Sequence, residues 1–119
     1  MTAVYTPAMT VERTGVSLDT LRYYEREGLI GPVERSDGGH RAYTDDDLFW
    51  IGLVTCLRDA GLGISDLREF TALLRTPGAA SDRVAFLEGH RAELEARADR
   101  IRIAVGVLEE KIAYYRDRL

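Results

Sequence analysis

Residues 22–24 read Arg-Tyr-Tyr, inside a short segment, TGVSLDTLRYYEREGLI, whose flanks mark a helix. A guanidinium can fork onto a base edge or a phosphate, and a phenol can reach a phosphate or sugar oxygen. Successive helical residues point about 100° apart, so the two rings cannot share a face. Tyr24 is expected to pack inward with Leu21 and Leu29, leaving Arg22 and Tyr23 outward. Arg35, His40, Arg41 and Tyr43 follow on what reads as a hairpin, where they can grip phosphates. Ser17 and Asp19 stand at the helix N-terminus, whose free N–H groups attract phosphate, although the Asp19 carboxylate opposes that.

Other reactive groups are few. Cys56 is the single cysteine, which excludes an internal disulfide and a Cys-pair zinc site. Two chemistries suit it: a small buried hydrophobe, or a thiol open to modification. Leu53, Gly52, Asp59 and Ala60 lie one turn from it and none is basic, so any charge that activates the thiol must come from elsewhere. The two histidines, His40 and His90, have no partner at a spacing that catalysis or metal binding needs. No enzyme, metal or cofactor is therefore expected. Asp45, Asp46 and Asp47 are read as the acidic first turn of a helix, where the dipole favours them.

The elements that must position these groups are marked by caps and breakers. Thr6 can cap a first helix, with Pro7 at its first turn and Gly15 at its stop. Ser17 caps a second, over about 18–27, with Val16 and Leu21 as a hydrophobic staple and Gly28 as a left-handed stop. Two short helices joined by a tight turn make a helix-turn-helix. Pro32 blocks further helix, and VERSDGGHRAY reads as a wing: strand 33–36, a turn at 37–39, and strand 40–43. Thr44 and Asp47 have capping-box spacing, with Tyr43 and Leu48 as the staple of a third helix that ends at Gly61. That helix is apolar on more than one stripe, which predicts cover from a second subunit. A fourth helix is expected from about Asp66 to Arg75, capped by Ser65.

From Ser81 onward the only helix-weakening residues are Gly89 and Gly106. Leu87, Leu94, Ile101, Leu108 and Tyr115 repeat every seven residues, and Val84, Ala98, Val105 and Ile112 fill the offset seam position, with Arg91 as a misfit. This is a coiled-coil pattern sustained over about five heptads. At 1.5 Å per residue the helix is about 58 Å long, too long for a small head to cover. A homodimer follows as the expectation. The fold class is mainly α: a winged helix-turn-helix head at 1–75, a linker at 76–81 and a coiled-coil dimerisation helix at 82–119.

Composition narrows the partner. The net charge is −4, and residues 1–43 hold five arginines against six acids, so binding to DNA must use placed arginines rather than a basic surface. No apolar run is long enough to span a membrane and no signal peptide is evident at the N-terminus, so a cytoplasmic setting is expected.

The stretches TGVSLDTLRYYEREGLIGP, ERSDGGHRAYTDDDL and LRDAGLGISDLREF resemble the MerR family of bacterial transcription regulators, over about residues 5–75. The resemblance implies a homodimer whose long helices pack antiparallel. It also implies binding to a pseudo-palindromic double-stranded promoter site, which is bent and untwisted so that RNA polymerase can engage both promoter elements. Carried over to matching positions are Arg22 and Tyr23 on the recognition helix, and Arg35, His40, Arg41 and Tyr43 on the wing. Asp19 departs from the small or basic residue usual there, and Thr10 replaces a common aliphatic one, which implies a looser first helix. The cysteines of the family's metal sensors have no counterpart here, and the sequence stops at Leu119, so a regulator without the multidrug sensors' ligand domain is expected. LVTCLRDAGLGISDL with the late KIAYYRD is similar to the branch that responds to aldehydes and other electrophiles, which would make Cys56 a sensor. An effector-less architectural DNA-binding protein or coiled-coil adaptor is the alternative.

Overall fold

The computed structural model describes residues 4–119. Its elements are β1 (Val4–Tyr5), α1 (Pro7–Thr14), α2 (Leu18–Arg26), β2 (Glu34–Arg35), β3 (Arg41–Thr44), α3 (Asp45–Asp59), α4 (Ile64–Arg75) and α5 (Ala80–Arg116). The chain is mainly helical, as expected, and forms two units: one ends at Thr76 and the other runs Pro77–Leu119.

Local chemistry explains the first unit's helix ends. The Thr6 hydroxyl accepts from the Met9 N–H at 3.1 Å, Pro7 occupies the first turn, and Gly15 ends α1 at φ 71°. Ser17 caps α2, its Oγ accepting from the Thr20 N–H at 3.2 Å. Gly28, at φ 73°, turns the chain back so that the Leu29 N–H reaches the Tyr24 carbonyl at 2.9 Å. At α3 both halves of the capping box form: Asp47 N–H to Thr44 Oγ1 at 3.2 Å, and Thr44 N–H to Asp47 carboxylate at 3.0 Å. Thr10 is buried, yet its hydroxyl donates to the Thr6 carbonyl at 2.9 Å, so the polar group is satisfied inside α1.

The sheet is three short antiparallel strands in the order β1-β3-β2. Glu34 pairs with Ala42 and Arg35 with Arg41 in the wing, while Val4 pairs with Thr44 and Tyr5 with Tyr43 on the other edge. β1 was not expected, because two residues carry no readable period. The core of this unit gathers Leu21, Tyr24, Leu29, Ile30, Tyr43, Ile51, Val54 and Leu67, each at most 2% exposed.

Three local expectations are corrected. Gly63, not Ser65, is the N-cap of α4, and no side chain caps it. The extended backbone falls on Gly63 and Ile64 already takes the first helical position. The first wing strand is two residues rather than four and the second, four residues long as expected, is shifted by one, because the turn hydrogen bonds, Ser36 N–H to His40 carbonyl at 2.7 Å and Gly39 N–H to Ser36 carbonyl at 2.8 Å, take the inner positions. In the second unit α5 begins at Ala80, so Ala80 and Ser81 are helical rather than linker.

The second unit is a single helix of 37 residues, about 55 Å long at 1.5 Å per residue. None of its residues is buried. Val84, Leu87, Ile101, Val105, Leu108, Ile112 and Tyr115 are exposed along it. Arg91, the seam misfit, pairs with Glu95 one turn on at 3.7 Å.

Candidate nucleic-acid interface

On α2 the expected division of the Arg-Tyr-Tyr triplet holds. Tyr24 is fully buried, while Tyr23 is half-buried and Arg22 half-exposed. Tyr24 is anchored from behind by α3: its hydroxyl meets Thr55 Oγ1 at 3.2 Å, and the Arg58 guanidinium lies 5.7 Å from its ring centre. Tyr23 is flanked on its own helix by the Arg26 guanidinium, 5.7 Å from the ring centre. Arg22 faces the Asp19 carboxylate at 3.8 Å, a solvated pair one turn apart that holds the guanidinium only weakly. Ser17 is exposed, but its hydroxyl is engaged twice within the cap, with the Thr20 N–H and the Thr20 hydroxyl.

The C-terminal end of α2 is fastened as well. Arg68 of α4 donates from Nε to the Glu27 carbonyl at 3.0 Å and pairs with the Glu27 carboxylate through its Nη2. A Glu27 carbonyl left open by the end of the helix thereby gains a charged donor.

The wing presents Arg35 and His40, both exposed. Arg35 folds back on the turn, its Nη1 donating to the Gly39 carbonyl at 3.1 Å, and Gly39 takes φ 79° to allow that turn. Arg41 is only 21% exposed, because its Nε donates to the Glu25 carboxylate at 2.9 Å. The other Glu25 oxygen accepts the Val33 N–H at 2.9 Å. Burial pushes the Glu25 carboxyl upward, but the Val33 N–H and the Arg41 guanidinium, with Arg35 beyond, hold it below the ordinary glutamate range.

Tyr43 is corrected. It is fully buried and presents no surface to a ligand, so it leaves the contact set and joins the core. On β3 its side chain turns toward the body of the head. Burial raises its phenol pKa.

The structure thus sets Ser17, Asp19, Arg22 and Tyr23 along α2 and Arg35, His40 and Arg41 on the wing, with Glu25 joining the two elements. Glu25 was missed because its partners lie 8 and 16 residues away, and no local spacing announces them.

Cys56 lies on a different face. It is exposed, in line with exposed Phe49 and Gly52 on α3, while Ile51 and Val54 of the same helix are buried. Its neighbours Thr55 and Arg58 are the residues that touch Tyr24. Among the described residues no cluster of three or more His, Cys, Asp or Glu could hold a metal ion, and no helix is long and apolar enough to cross a membrane.

Comparison with known proteins gives a consistent set of similarities. Residues 5–74 match the profile of the family described as MerR HTH family regulatory protein. An uncharacterized HTH-type transcriptional regulator of Haemophilus influenzae is 31% identical over 112 residues, 93% of this chain and 83% of that protein. The HTH-type transcriptional regulator AdhR of Bacillus subtilis is 48% identical over 66 residues, 56% of this chain but only 47% of AdhR. A MerR family regulator structure from Listeria monocytogenes superposes with a TM-score of 0.82 at 38% identity, covering 93% of this chain and 85% of that one. The crystal structure of HiNmlR, described as a MerR family regulator lacking the sensor domain and bound to promoter DNA, superposes with a TM-score of 0.80 at 31% identity. It covers 98% of this chain and 92% of HiNmlR.

Proposed function

We propose that this chain, which belongs to the MerR HTH family of regulatory proteins and is a transcriptional regulator, works as a homodimer that grips and distorts promoter DNA. In this reading residues 1–75 form the DNA-binding head and 82–119 the dimerisation helix. Double-stranded promoter DNA is the ligand, and RNA polymerase at that promoter is the partner that benefits from the distortion. Arg22 reads a base edge or a phosphate, Tyr23 a phosphate or sugar, and Arg35, His40 and Arg41 hold the backbone beside them. Ser17 and Asp19 line the start of the recognition helix.

The observation that carries this reading is the pairing of Tyr24 and Arg22 on one short helix. Tyr24 is locked into the core and onto α3, so α2 is rigid, and Arg22 is presented outward from that rigid support. The DNA-bound state of HiNmlR, a protein of the same fold, lends support. In fluorescence anisotropy with a duplex selected from random sequence, Arg22→Ala is expected to cost about 1–3 kcal/mol and to relax preference at one symmetric pair of positions. Wild-type affinity in that variant would remove α2 as the reader.

A second reading concerns Cys56, and its exposure favours it. In the proposed dimer α3 lies between the head and the partner's long helix, so an adduct on the exposed Cys56 thiol adds volume at that joint. Packed joints yield by shifting rather than compressing, so the adduct biases the angle of the head and the bend of bound DNA. Cys56→Ser is expected to bind DNA as wild type does, to gain no mass on aldehyde treatment, and to lose any aldehyde response in in vitro transcription. A wild-type thiol that stays unmodified, or a mutant that still responds, leaves Cys56 without a sensing role.

A further inference from the structure

We infer that Glu25 is the positioning residue that fixes the wing against the recognition helix and aims Arg41, so that it governs DNA selectivity without touching DNA. The inference rests on the reading that α2 and the wing bind DNA.

The geometry is specific. Glu25 lies in the last turn of α2, and its two carboxylate oxygens each accept one bond of 2.9 Å, from Val33 N–H and from Arg41 Nε. Val33 is the residue immediately before β2, and Arg41 is the first residue of β3. A single carboxylate therefore holds the wing at two points, the residue that leads into β2 and, beside the turn, the first residue of β3. β3 is held on its other side by β1, but β2 is an edge strand paired to β3 through two residue pairs, so the Glu25 bond to Val33 adds a tie at the strand that has the fewest.

The same bond orients Arg41. It engages the Nε–H, which leaves the terminal Nη donors to fork onto a phosphate. Orientation has a consequence for charge as well. Glu25 partly cancels Arg41, so the wing's grip on DNA depends on where the guanidinium points more than on its net charge. Such an arrangement lowers attraction to any duplex and favours the one shape that brings a phosphate to the Nη atoms.

Glutamine cannot replace this carboxylate. Both oxygens face N–H donors, so the glutamine NH2 would meet a donor on one side and one bond must break. Glu25→Gln thus keeps size and removes the double grip.

The test uses the full chain, a duplex selected from random sequence by the wild type, a scrambled duplex of equal length, and several salt concentrations. Glu25→Gln, Arg41→Ala and the double variant are compared, with thermal melting followed by circular dichroism. Glu25→Gln is expected to lower affinity for the selected duplex about tenfold, as coupled neighbours do. Affinity for the scrambled duplex should stay level or rise, since a negative charge has left the DNA-facing side. Arg41→Ala should cost about tenfold in the wild type but less than about twofold in the Glu25→Gln background. Arg41→Lys provides a second arm that does not depend on Glu25→Gln folding: it keeps the charge but not the planar fork, and should lose selectivity as Glu25→Gln does.

A folded Glu25→Gln with wild-type selectivity, strictly additive Glu25 and Arg41 effects, or an Arg41→Lys indistinguishable from wild type would each overturn the inference. These outcomes leave the DNA-binding reading standing. A wild type that binds neither duplex would remove that reading and this one together.

Discussion

The head and the long helix solve the same problem in opposite ways. The head buries Leu21, Tyr24, Tyr43, Ile51 and their neighbours within its own fold, and its polar exceptions, such as Thr10, are satisfied locally. The helix α5 buries nothing, although Ile101, Leu108, Ile112 and Tyr115 are as apolar as the residues of the head's core. Ile103, Val107 and Tyr114 are exposed too, outside both heptad positions. A helix apolar on more than one face is not a stable solvent-exposed object, because water penalises each exposed stripe. The contrast is that the head holds a core within one chain, whereas α5 leaves its apolar residues exposed along its length.

The comparison breaks most sharply if the helix does not depend on a second copy. Ile101→Lys with Leu108→Lys places like charges in the seam, and is expected to abolish dimers at micromolar concentration in sedimentation, with much of α5's helical signal lost in circular dichroism. The head should keep its own melting transition. Native protein sedimenting as a monomer would show instead that α5 stands alone.

The matching change in the head is Tyr43→Ala. Removing a fully buried aromatic side chain costs about 3–5 kcal/mol, and the loss in urea unfolding should not vary with protein concentration. An effect that grew on dilution would mean that the head also draws stability from a partner.

The smallest expected effect is a pH dependence confined to the head. The Glu25 carboxyl is held below its ordinary value of 4.5, so its two bonds stabilise the folded state fully above that pH. As pH falls through and below 4.5 the folded head must take up the proton at a cost, and this contribution is lost. The melting-temperature gap between wild type and Glu25→Gln is therefore expected to be constant at neutral pH and to close in acid. A gap that stays open at acid pH would assign the stabilisation to packing rather than to the carboxylate.

Much of this molecule was legible from short stretches. Thr6, Ser17 and Thr44 announced helix starts, and Gly15, Gly28 and Gly61 announced stops, because a cap or a left-handed turn involves only a few adjacent residues. The length of α5 was readable for a similar reason: a helix repeats its geometry, so a sustained heptad period marks an uninterrupted helix. The outward Arg22 and inward Tyr24 came from the same rule applied to adjacent residues. Where the local signal was ambiguous the reading slipped, as with Ser65 beside Gly63, two acceptable caps at neighbouring positions.

The sequence by itself therefore determined the helices, the turns, the wing's place in the chain, and the uninterrupted length of α5. Only the tertiary structure decided that Tyr43 is core rather than contact. It also decided that Glu25 grips Val33 and Arg41, that Thr55 holds Tyr24, and that Arg68 closes the end of α2 at Glu27. Each of these joins residues separated by 8 to 41 positions. Backbone periodicity relates a residue only to its near neighbours, so such pairs leave no pattern in the chain and exist only once packing has brought the elements together.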